Sequence, residues 1–321
     1  MIPGVRVGHV TDLRSLTGCT VILPDRAAVG ALEIAGWAAG VHGIEFLDPR
    51  HVAPTVDGVV LAGGSAFGLE AVWGAMQYLE EHSRGFPVTR TVVPHVGGAI
   101  IFDLNVGDHR VRPDRAMGYA ACAAARPGPV EEGSVGAGTG ATVGKLYGIE
   151  RAMRGGLGVE RIERDGVVTA ALMVVNAAGD VRDPVTGRLI AGARDAASGR
   201  RLVDTAAALE AGAAPPRFRP VNTTIGVVTT TAALGKAEAA RVARLALEGF
   251  ERALSPPHLP TDGDALFCLS VGDARADLVS LGRAAADAVA AAIARAVLCA
   301  TPLPGIPAAG DLGITSCGGA G

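Results

Sequence analysis

The most constraining feature of this sequence is a junction at which a basic, proline-containing segment runs directly into a β-rich segment. Residues 217–221 have the sequence RFRPV, and Asn222-Thr223-Thr224 follow them immediately. If the peptide bond between Asn222 and Thr223 is cut, Thr223 becomes an amino terminus with a hydroxyl nucleophile and its own general base, the free α-amine. The junction therefore predicts a self-cleavage site and an amidase that uses Thr223.

Length and composition predict a soluble enzyme with a large core. The chain has 321 residues, of which 49% are hydrophobic and only 4% aromatic, so small aliphatic side chains and glycine must fill the interior. The formal net charge of −3 and a pI near 6.2 argue against nucleic-acid binding, and no cluster of Lys or Arg suggests an anionic membrane. We expect a small neutral or zwitterionic substrate.

The sequence predicts neither a cofactor nor a metal site. Its five cysteines are scattered without a Cys-x-x-Cys pair, which favours reduced thiols in a cytoplasm. The seven histidines are equally dispersed, and none forms a pair at the short helical spacing of zinc sites. The amino terminus lacks the features of a secretion signal, and the apolar stretch 284–300 is interrupted by Asp287 and Arg295 and too short to span a bilayer. We therefore expect a cytoplasmic protein.

Short β-rich runs alternate with alanine-rich segments, which predicts an α/β layered domain. Hydrophobic periodicity predicts strands at 59–62, 169–176, 224–230 and 265–271, and helices at 66–81, 236–254 and 284–298. The second helix is amphipathic, and its predicted buried face consists of Val242, Leu245, Ala246, Phe250 and Ala253. The intervening segments are expected to be a glycine-rich polar stretch at 156–168, a polar loop with an alanine-rich helix at 180–213, and an exposed linker at 215–216.

Two glycine-rich motifs are similar to better-known signatures without matching them. Residues 138–145 end in Gly-Lys like a phosphate-binding loop, but Thr139 and Leu146 occupy positions where that loop requires Gly and Ser or Thr. The dinucleotide-binding pattern also fails, because its third glycine is out of register. Ser65 lies in a turn similar to the nucleophile turn of α/β hydrolases, but Phe67 stands where that turn needs glycine. We predict that Ser65 is a helix cap.

Several segments resemble the DmpA-type aminopeptidases, a family of self-processing hydrolases. They are GGSAFGL (63–69), IFDL (101–104), GAGTGATVGK (136–145), NTTIG (222–226) and TDGDALF (261–267). They span most of the chain in the family's order, and the Asn-Thr junction with the Asp-x-Asp pair is most similar to the branch that hydrolyses nylon oligomers, which are 6-aminohexanoate amides. The resemblance implies a layered αββα sandwich of the DmpA and ornithine acetyltransferase type. It also implies one compact domain formed by segments 1–222 and 223–321, assembled as a homotetramer of cleaved αβ units.

The resemblance implies catalytic roles for Lys145 and Asn176. An ammonium at Lys145 would lower the pKa of a neighbouring N-terminal amine from about 8, leaving more of it neutral and able to accept the threonine proton. Asn176 matches the family's asparagine, whose side-chain amide donates to the oxyanion. The alternative interpretations are a solvated surface lysine and an asparagine that belongs to the turn-like segment 176–180.

Asp262 and Asp264 complete the predicted site. Side chains two residues apart on an extended segment face the same way, so both carboxylates can reach one site. One is expected to hydrogen-bond the hydroxyl or amine of Thr223, and the other to offset Lys145 or to receive a substrate ammonium. A solvated Asp-Gly-Asp turn is the alternative. At Phe102 the nylon-hydrolase branch has a tyrosine, so this chain lacks one possible hydroxyl donor to the substrate.

The predicted activity is hydrolysis of small linear amides, such as 6-aminohexanoate oligomers, through an acyl-enzyme on Thr223. Three alternatives remain open: an aminopeptidase that acts on short peptides or amino-acid amides, an acyltransferase similar to the ornithine acetyltransferases, and a catalytically silent shell or binding protein. A substrate panel, an acetyl-transfer assay and the intact mass of the chain distinguish them.

Overall fold

The structure, a computed structural model, describes residues 3–214 and 222–315. Its strands in chain order are β1 (Val5–Asp12), β2 (Thr17–Pro24), β3 (Val29–Ile34), β4 (Val41–His42), β5 (Gly58–Ala62), β6 (Phe86–Pro87), β7 (Val92–Val93), β8 (Val96–Ile100), β9 (Thr142–Val143), β10 (Met153–Arg154), β11 (Gly156–Arg164), β12 (Val167–Asn176), β13 (Asp180–Arg182), β14 (Leu189–Ala191), β15 (Thr223–Ala232), β16 (Leu254–Ser255) and β17 (Ala265–Ala274). Its α-helices are α1 (Ile44–Leu47), α2 (Glu70–Glu81), α3 (Arg115–Ala123), α4 (Thr205–Glu210), α5 (Lys236–Ala246), α6 (Glu248–Ala253) and α7 (Leu278–Leu298). Short 3₁₀ turns occur at Ser65–Leu69, Gly136–Gly138, Ile149–Arg151 and Ala309–Leu312.

Two five-stranded sheets form the centre of the molecule. The first has the order β1-β2-β5-β8-β4, and the second has the order β11-β12-β15-β17-β3. In the second sheet β15 lies between β12, to which it is antiparallel, and β17, to which it is parallel. The chain immediately after the Asn222–Thr223 junction therefore occupies the central strand of this sheet.

The helices cover the outer faces of the two sheets. One buried cluster joins α5, α6 and α7 to the second sheet, and another joins α2 and α3 to the first. A third cluster lies between the sheets and includes Leu61, Leu172, Val227 and Phe267. This arrangement confirms the predicted αββα sandwich, in which each sheet buries one face against its partner and the other against helices.

Most of the predicted elements are present, although their bounds differ, and the helix predicted at 66–81 is a 3₁₀ turn at Ser65–Leu69 followed by α2. The predicted strands correspond to β5, β12, β15 and β17, and the helix predicted at 284–298 begins earlier, at Leu278. Asp277 explains this start, because its side chain accepts the backbone N–H groups of Val279 and Ser280. None of the helices in the described part of the chain is long and apolar enough to cross a membrane.

The glycine-rich segment at 156–168 differs from its prediction, because residues 156–164 form β11. Its glycines let the strand lie directly against α7. A Cβ on Gly158 would lie 2.1 Å from the carbonyl oxygen of Ala292, and one on Gly156 would lie 2.4 Å from that of Ala296. The glycines that weaken the strand pattern in the sequence are therefore required by the packing of the helix.

Three further expectations are corrected by the structure. The helix predicted at 236–254 is two helices, α5 and α6, that meet at Leu247, and Leu245 is 46% exposed rather than buried. The segment 180–213 contains β13 and β14 besides the short helix α4. Asp180 organises this region, because its buried carboxylate accepts hydrogen bonds from the backbone of Ala193 and from Thr205. The predicted linker at 215–216 lies outside the described residues.

Ser65 does not cap a helix, contrary to prediction. Gly64 is the N-cap of the 3₁₀ turn, and no side chain caps it. Ser65 has a φ of 55°, whereas a capping side chain needs the extended backbone of an N-cap residue. The carboxylate of Asp103 instead accepts the N–H of Gly64, at 2.7 Å. A carboxylate distant in sequence therefore binds the backbone of this turn, and the serine hydroxyl does not cap it.

The ring of Phe267 holds the two sheets together. It belongs to β17, it is fully buried, and a Cβ on Gly97 in β8 would lie 2.8 Å from its Cε1 atom. We expect Phe267→Ala to lower the free energy of unfolding by about 3–5 kcal/mol, because the cavity would lie between two rigid sheets. Denaturant titration measures this change. Phe86→Ala, at a half-exposed ring in the β6 hairpin, is the control and should cost less than about 1 kcal/mol; equal losses would contradict the prediction.

Candidate active site

Strand register brings the predicted site residues together. Thr223, the first residue of β15, lies opposite Asn176, the last residue of β12. Asn222 forms a parallel bridge with Asp262, and the N–H of Thr224 donates to a carboxylate oxygen of Asp264 at 2.6 Å. Residues as distant in sequence as Asn176 and Asp264 therefore meet at one end of the second sheet.

The predicted cleavage junction is buried and internally hydrogen-bonded. Thr223 is 3% exposed and Asn222 is 6% exposed. The hydroxyl of Thr223 donates a short hydrogen bond to the carbonyl oxygen of Asn222. The N–H of Gly263 donates to the same oxygen at 2.9 Å. The hydroxyl that would attack thus already contacts the carbonyl group that it would attack.

Lys145 is connected to this junction through Asn176. Its Nζ atom donates to the carbonyl oxygen of Asn176 at 2.7 Å and to the side-chain oxygen of Asn176 at 2.9 Å. Burial lowers the pKa of Lys145 to about 7, although the nearby charge of Asp262 opposes this change. The interpretation of Lys145 as a solvated surface residue is therefore wrong, and a substantial fraction of the amine is neutral near pH 7.

The glycine run before Lys145 provides a tightly packed support. Gly144 has a φ of 71°, and a Cβ there would lie 2.0 Å from the backbone of Gly192 and Ala193. Only glycine fits such a position. Farther back, the buried guanidinium of Arg154 donates to the carbonyl oxygen of Thr139. The run thus fixes the direction in which Lys145 leaves the backbone.

Asn176 is fully buried, and its side chain has a defined orientation. Its side-chain oxygen accepts hydrogen bonds from Lys145 and from the N–H of Thr142, the latter at 3.0 Å. Its Nδ2 atom donates to the carbonyl oxygen of Phe102 at 3.0 Å. Phe102 therefore contributes to the site through its backbone, whatever the effect of the missing tyrosine hydroxyl. Asn176 ends a strand and is not a solvated turn residue.

The two aspartates have different partners, and both are buried. Asp262 accepts the N–H groups of Ala178 and Leu259 at 3.2 and 3.0 Å. Burial, followed by the charge of Asp264, raises the pKa of Asp262, whereas Lys145 opposes the rise. Burial disfavours the charge on both Lys145 and Asp262, and the opposite charge of each partly offsets that effect on the other. The prediction that one aspartate offsets Lys145 is consistent with this interaction.

The prediction that an aspartate binds Thr223 itself is not met in the described hydrogen bonds. One carboxylate oxygen of Asp264 accepts the N–H of Thr224, the residue after Thr223. The other oxygen is hydrogen-bonded to the Nδ1 atom of His258 at 2.8 Å. In the continuous chain the nitrogen of Thr223 is a peptide nitrogen rather than an ammonium, so it offers no charge to attract a carboxylate. The alternative of a solvated Asp-Gly-Asp turn is excluded, because both side chains are at most 2% exposed.

His258 is a site residue that the sequence analysis missed. Its backbone N–H and its Nδ1 atom both approach Asp264, and its ring packs on Phe250 at a centroid distance of 5.3 Å. Burial lowers the pKa of His258, but the hydrogen bond and charge of Asp264 outweigh burial and raise it above its ordinary value. The only sequence signal was its position six residues before Asp264.

The remaining titratable clusters do not suggest a metal. Among residues 3–214 and 222–315, no group of three or more His, Cys, Asp or Glu side chains is arranged to hold a metal ion. The four cysteines in the same ranges are free thiols, and three of them are buried. Burial raises the pKa of the Cys268 thiol to about 12, which makes it unreactive. Cys317 lies outside the described residues.

Several proteins of known sequence are similar to this chain over most of its length. An uncharacterized aminopeptidase of Mycobacterium tuberculosis is 40% identical over 97% of this chain and 96% of its own length. A 6-aminohexanoate-oligomer endohydrolase of Kocuria sp. is 32% identical over 84% of this chain and 74% of its own length.

The fold is also found among solved structures. The L-aminopeptidase D-Ala-esterase/amidase of Ochrobactrum anthropi, described as a variant of the Ntn hydrolase fold, has a TM-score of 0.71 with 18% identity and covers 93% of this chain and 85% of its own. The family description of Peptidase family S58 matches residues 2–309. The chain therefore belongs to peptidase family S58 and is a hydrolase that acts on amide bonds.

Proposed function

We propose that this protein cleaves itself between Asn222 and Thr223 and then uses Thr223 as an N-terminal nucleophile on small linear amides. The observation that carries the proposal is the contact of the Thr223 hydroxyl with the Asn222 carbonyl. Thr223 also pairs in the sheet with Asn176, which accepts hydrogen bonds from the partly buried and partly neutral amine of Lys145. An acyl shift needs a nucleophile, a base that takes the proton of the nucleophile, and a carbonyl carbon within reach.

In the precursor the reaction is intramolecular. The Thr223 oxygen attacks the Asn222 carbonyl carbon while its proton passes to the neutral amine of Lys145. The C–N bond then breaks, the nitrogen of Thr223 takes a proton, and water hydrolyses the resulting ester. Residues 1–222 and 223–321 become two chains that remain packed in one domain, because β15 and β17 lie in the same sheet as β11, β12 and β3.

In the mature enzyme the same oxygen attacks an external amide. The free amine of Thr223 accepts the hydroxyl proton, and the positive charge nearby on protonated Lys145 keeps that amine's pKa low. The Asn176 amide, oriented by Lys145, Thr142 and Phe102, donates to the developing oxyanion. Asp264 fixes the start of β15 through Thr224. Water then releases the acyl group from Thr223.

The names of two relatives suggest two candidate substrate classes. The relative of Kocuria sp. is named for 6-aminohexanoate oligomers, so we propose linear amides of ω-amino acids as substrates. The relative of Mycobacterium tuberculosis, with higher identity, is named an aminopeptidase, which favours short peptides with a free amino terminus as the second candidate. Both classes carry a free ammonium, which lies one carbon from the amide carbonyl in a peptide and five carbons from it in a 6-aminohexanoate amide.

A substrate panel tests the proposal and separates the two candidates. It contains linear 6-aminohexanoate dimer and trimer, α-amino-acid p-nitroanilides, the same anilides with a blocked amine, and N-acetylornithine with glutamate as acceptor. Release of 6-aminohexanoate supports the first candidate, and cleavage of the free anilides alone supports the second. Acetyl transfer to glutamate would replace both, and no turnover of any amide by cleaved protein would refute the proposed activity.

The pH dependence of self-cleavage tests the Lys145–Asp262 interaction. The negative charge of Asp262 raises the pKa of Lys145, so Asp262→Asn should lower that pKa further. The neutral amine would then persist at lower pH, and the acidic limb of the rate profile should move down by about 1 pH unit. The profile is measured on freshly translated precursor by gel densitometry. Asp264→Asn, which removes a nearby charge but keeps the Asp262 carboxylate, is the control; a limb that moves equally in both variants, or upward in Asp262→Asn, would contradict the assignment.

A further inference from the structure

We propose that the backbone N–H of Gly263 stabilises the negative oxygen that forms on the Asn222 carbonyl during self-cleavage. This inference rests on the proposed function and adds a catalytic group to its first stage. The N–H donates to the Asn222 oxygen at 2.9 Å while the bond is still intact. A donor already aimed at an oxygen that gains charge stabilises the transition state more than the ground state, because its hydrogen bond strengthens as the charge develops.

The peptide group that supplies this N–H is fixed at both ends. The carbonyl oxygen of Asp262 belongs to the same planar peptide as the nitrogen of Gly263, and it accepts the N–H of Ala38 at 2.9 Å. The order of hydrogen bonds is therefore Ala38 N–H to Asp262 carbonyl, then Gly263 N–H to Asn222 carbonyl. Such a chain polarises each member, and rotation of the peptide would break both of its hydrogen bonds.

Residues 35–38 bind residues 262–264, which we term the aspartate loop, through backbone hydrogen bonds. The N–H groups of Ala35 and Gly36 donate to the carbonyl oxygen of Asp264, each at 3.0 Å. A Cβ on Gly36 would lie 2.2 Å from the nitrogen of Asp264. A Cβ on Gly263 would lie 2.6 Å from the carbonyl oxygen of Ala38. Glycine at both positions thus permits the close contact that places the donor.

The shift of the Asn222 acyl group from nitrogen to oxygen uses only atoms of the chain itself. The bond between Thr223 Oγ1 and the Asn222 carbonyl carbon forms as the hydroxyl proton moves to Lys145, and the carbonyl electron pair moves onto the oxygen bound by Gly263. The pair returns as the C–N bond breaks, and the proton on Lys145 passes to the departing nitrogen. The product ester retains the Asn222 carbonyl, and water subsequently divides it into a carboxylate and the free hydroxyl of Thr223.

The test removes the Gly263 N–H without adding a side chain. Glycolic acid is placed at position 263 by cell-free translation, which replaces the amide nitrogen with an ester oxygen and adds no Cβ. We expect self-cleavage, followed by intact mass over time, to slow by about 10²- to 10³-fold, the effect of losing one oxyanion donor. The matched control has the same ester at Gly128, an exposed turn position at which a Cβ would meet no atom within 4 Å, and it should be cut at the normal rate.

Two outcomes would overturn this inference without affecting the proposed function. One is a folded 263 ester that is cut within threefold of the normal rate. If the ester chain does not fold, isotope-edited infrared spectroscopy of the all-amide Thr223→Ala precursor decides, with the Asn222 carbonyl labelled with ¹³C. A band at the wavenumber of a carbonyl without a hydrogen bond refutes the Gly263 contact, and a lower wavenumber supports it. An all-amide chain with Thr223 that folds but is never cut would instead refute the proposed function.

Discussion

Thr223→Ala is expected to yield a single full-length chain with no amidase activity. The alanine has no hydroxyl to attack the Asn222 carbonyl, so the chain stays intact, and without the cut there is neither nucleophile nor free amine for an external substrate. Loss of a covalent nucleophile lowers turnover by about 10⁴- to 10⁶-fold in hydrolases. The denatured intact mass shows cleavage directly, because the unsubstituted protein should give fragments 1–222 and 223–321.

Two matched variants make this experiment decisive. Thr223→Ser keeps a hydroxyl and should retain some cleavage. Thr231→Ala, near the far end of the same strand, removes a hydroxyl that contacts the backbone of Val168 and should leave cleavage complete. Fragments of the predicted masses from Thr223→Ala would remove Thr223 from the mechanism. A folded, active, uncut wild-type chain would show that hydrolysis does not depend on a free amine at position 223.

Substitution of Lys145 is expected to have the second largest effect. Lys145→Met removes the group that we propose accepts the Thr223 proton, and general-base catalysis contributes about 10²- to 10⁴-fold. Lys145→Arg keeps a positive charge that a protein cannot neutralise, so it should be similarly slow at every pH. In the unsubstituted precursor the self-cleavage rate should rise through a pH of about 7, where Lys145 loses its proton. The rate is measured on freshly translated chain.

The low pKa of Lys145 also predicts a change in stability with pH. An unfolded lysine has a pKa of about 10.4, and burial lowers that of folded Lys145 to about 7. Between these values the unfolded chain binds more protons than the folded chain, so the contribution of Lys145 to the free energy of unfolding rises as pH increases and is lost as pH falls towards 7. In the uncleaved Thr223→Ala background, adding Lys145→Met should remove this slope when denaturant titrations are compared between pH 7 and 10.

Lys236→Met serves as the control for the cleavage measurement. The Nζ atom of Lys236 also donates to backbone carbonyl oxygens, those of Phe46, His51 and Ala53, but it lies away from the junction. Lys236→Met should leave the pH profile of cleavage unchanged even if the protein becomes less stable. Equal losses of cleavage in the two methionine variants would mean that Lys145 acts through stability, and a flat profile in the unsubstituted chain would exclude it as the base.

Some elements of the fold could be predicted from the sequence and others could not. The difference is whether an element depends on a local hydrophobic pattern or on contacts with residues that are distant in the sequence. The strands β5, β12, β15 and β17 and the helix α7 follow from hydrophobic patterns of a few residues. The strand β11 did not, because its glycines reflect contact with Ala292 and Ala296, more than 130 positions away. The cap expected at Ser65 was wrong for a related reason, because Asp103, which accepts the N–H of the neighbouring Gly64, lies 39 positions away in the sequence.

The sequence by itself determined the chemistry that the chain can offer: a threonine that cleavage could expose, a lysine after a glycine run, an asparagine at a strand end and a pair of aspartates. Only the tertiary structure decided their partners, because strand register places Asn176 opposite Thr223 and the aspartate loop beside Asn222. It directs Asp264 to Thr224 and His258, and the Gly263 N–H to the carbonyl that self-cleavage would attack. Residue types and periodicity are local properties of the chain, whereas burial, pKa and hydrogen-bond partners arise when distant segments pack together and exclude water.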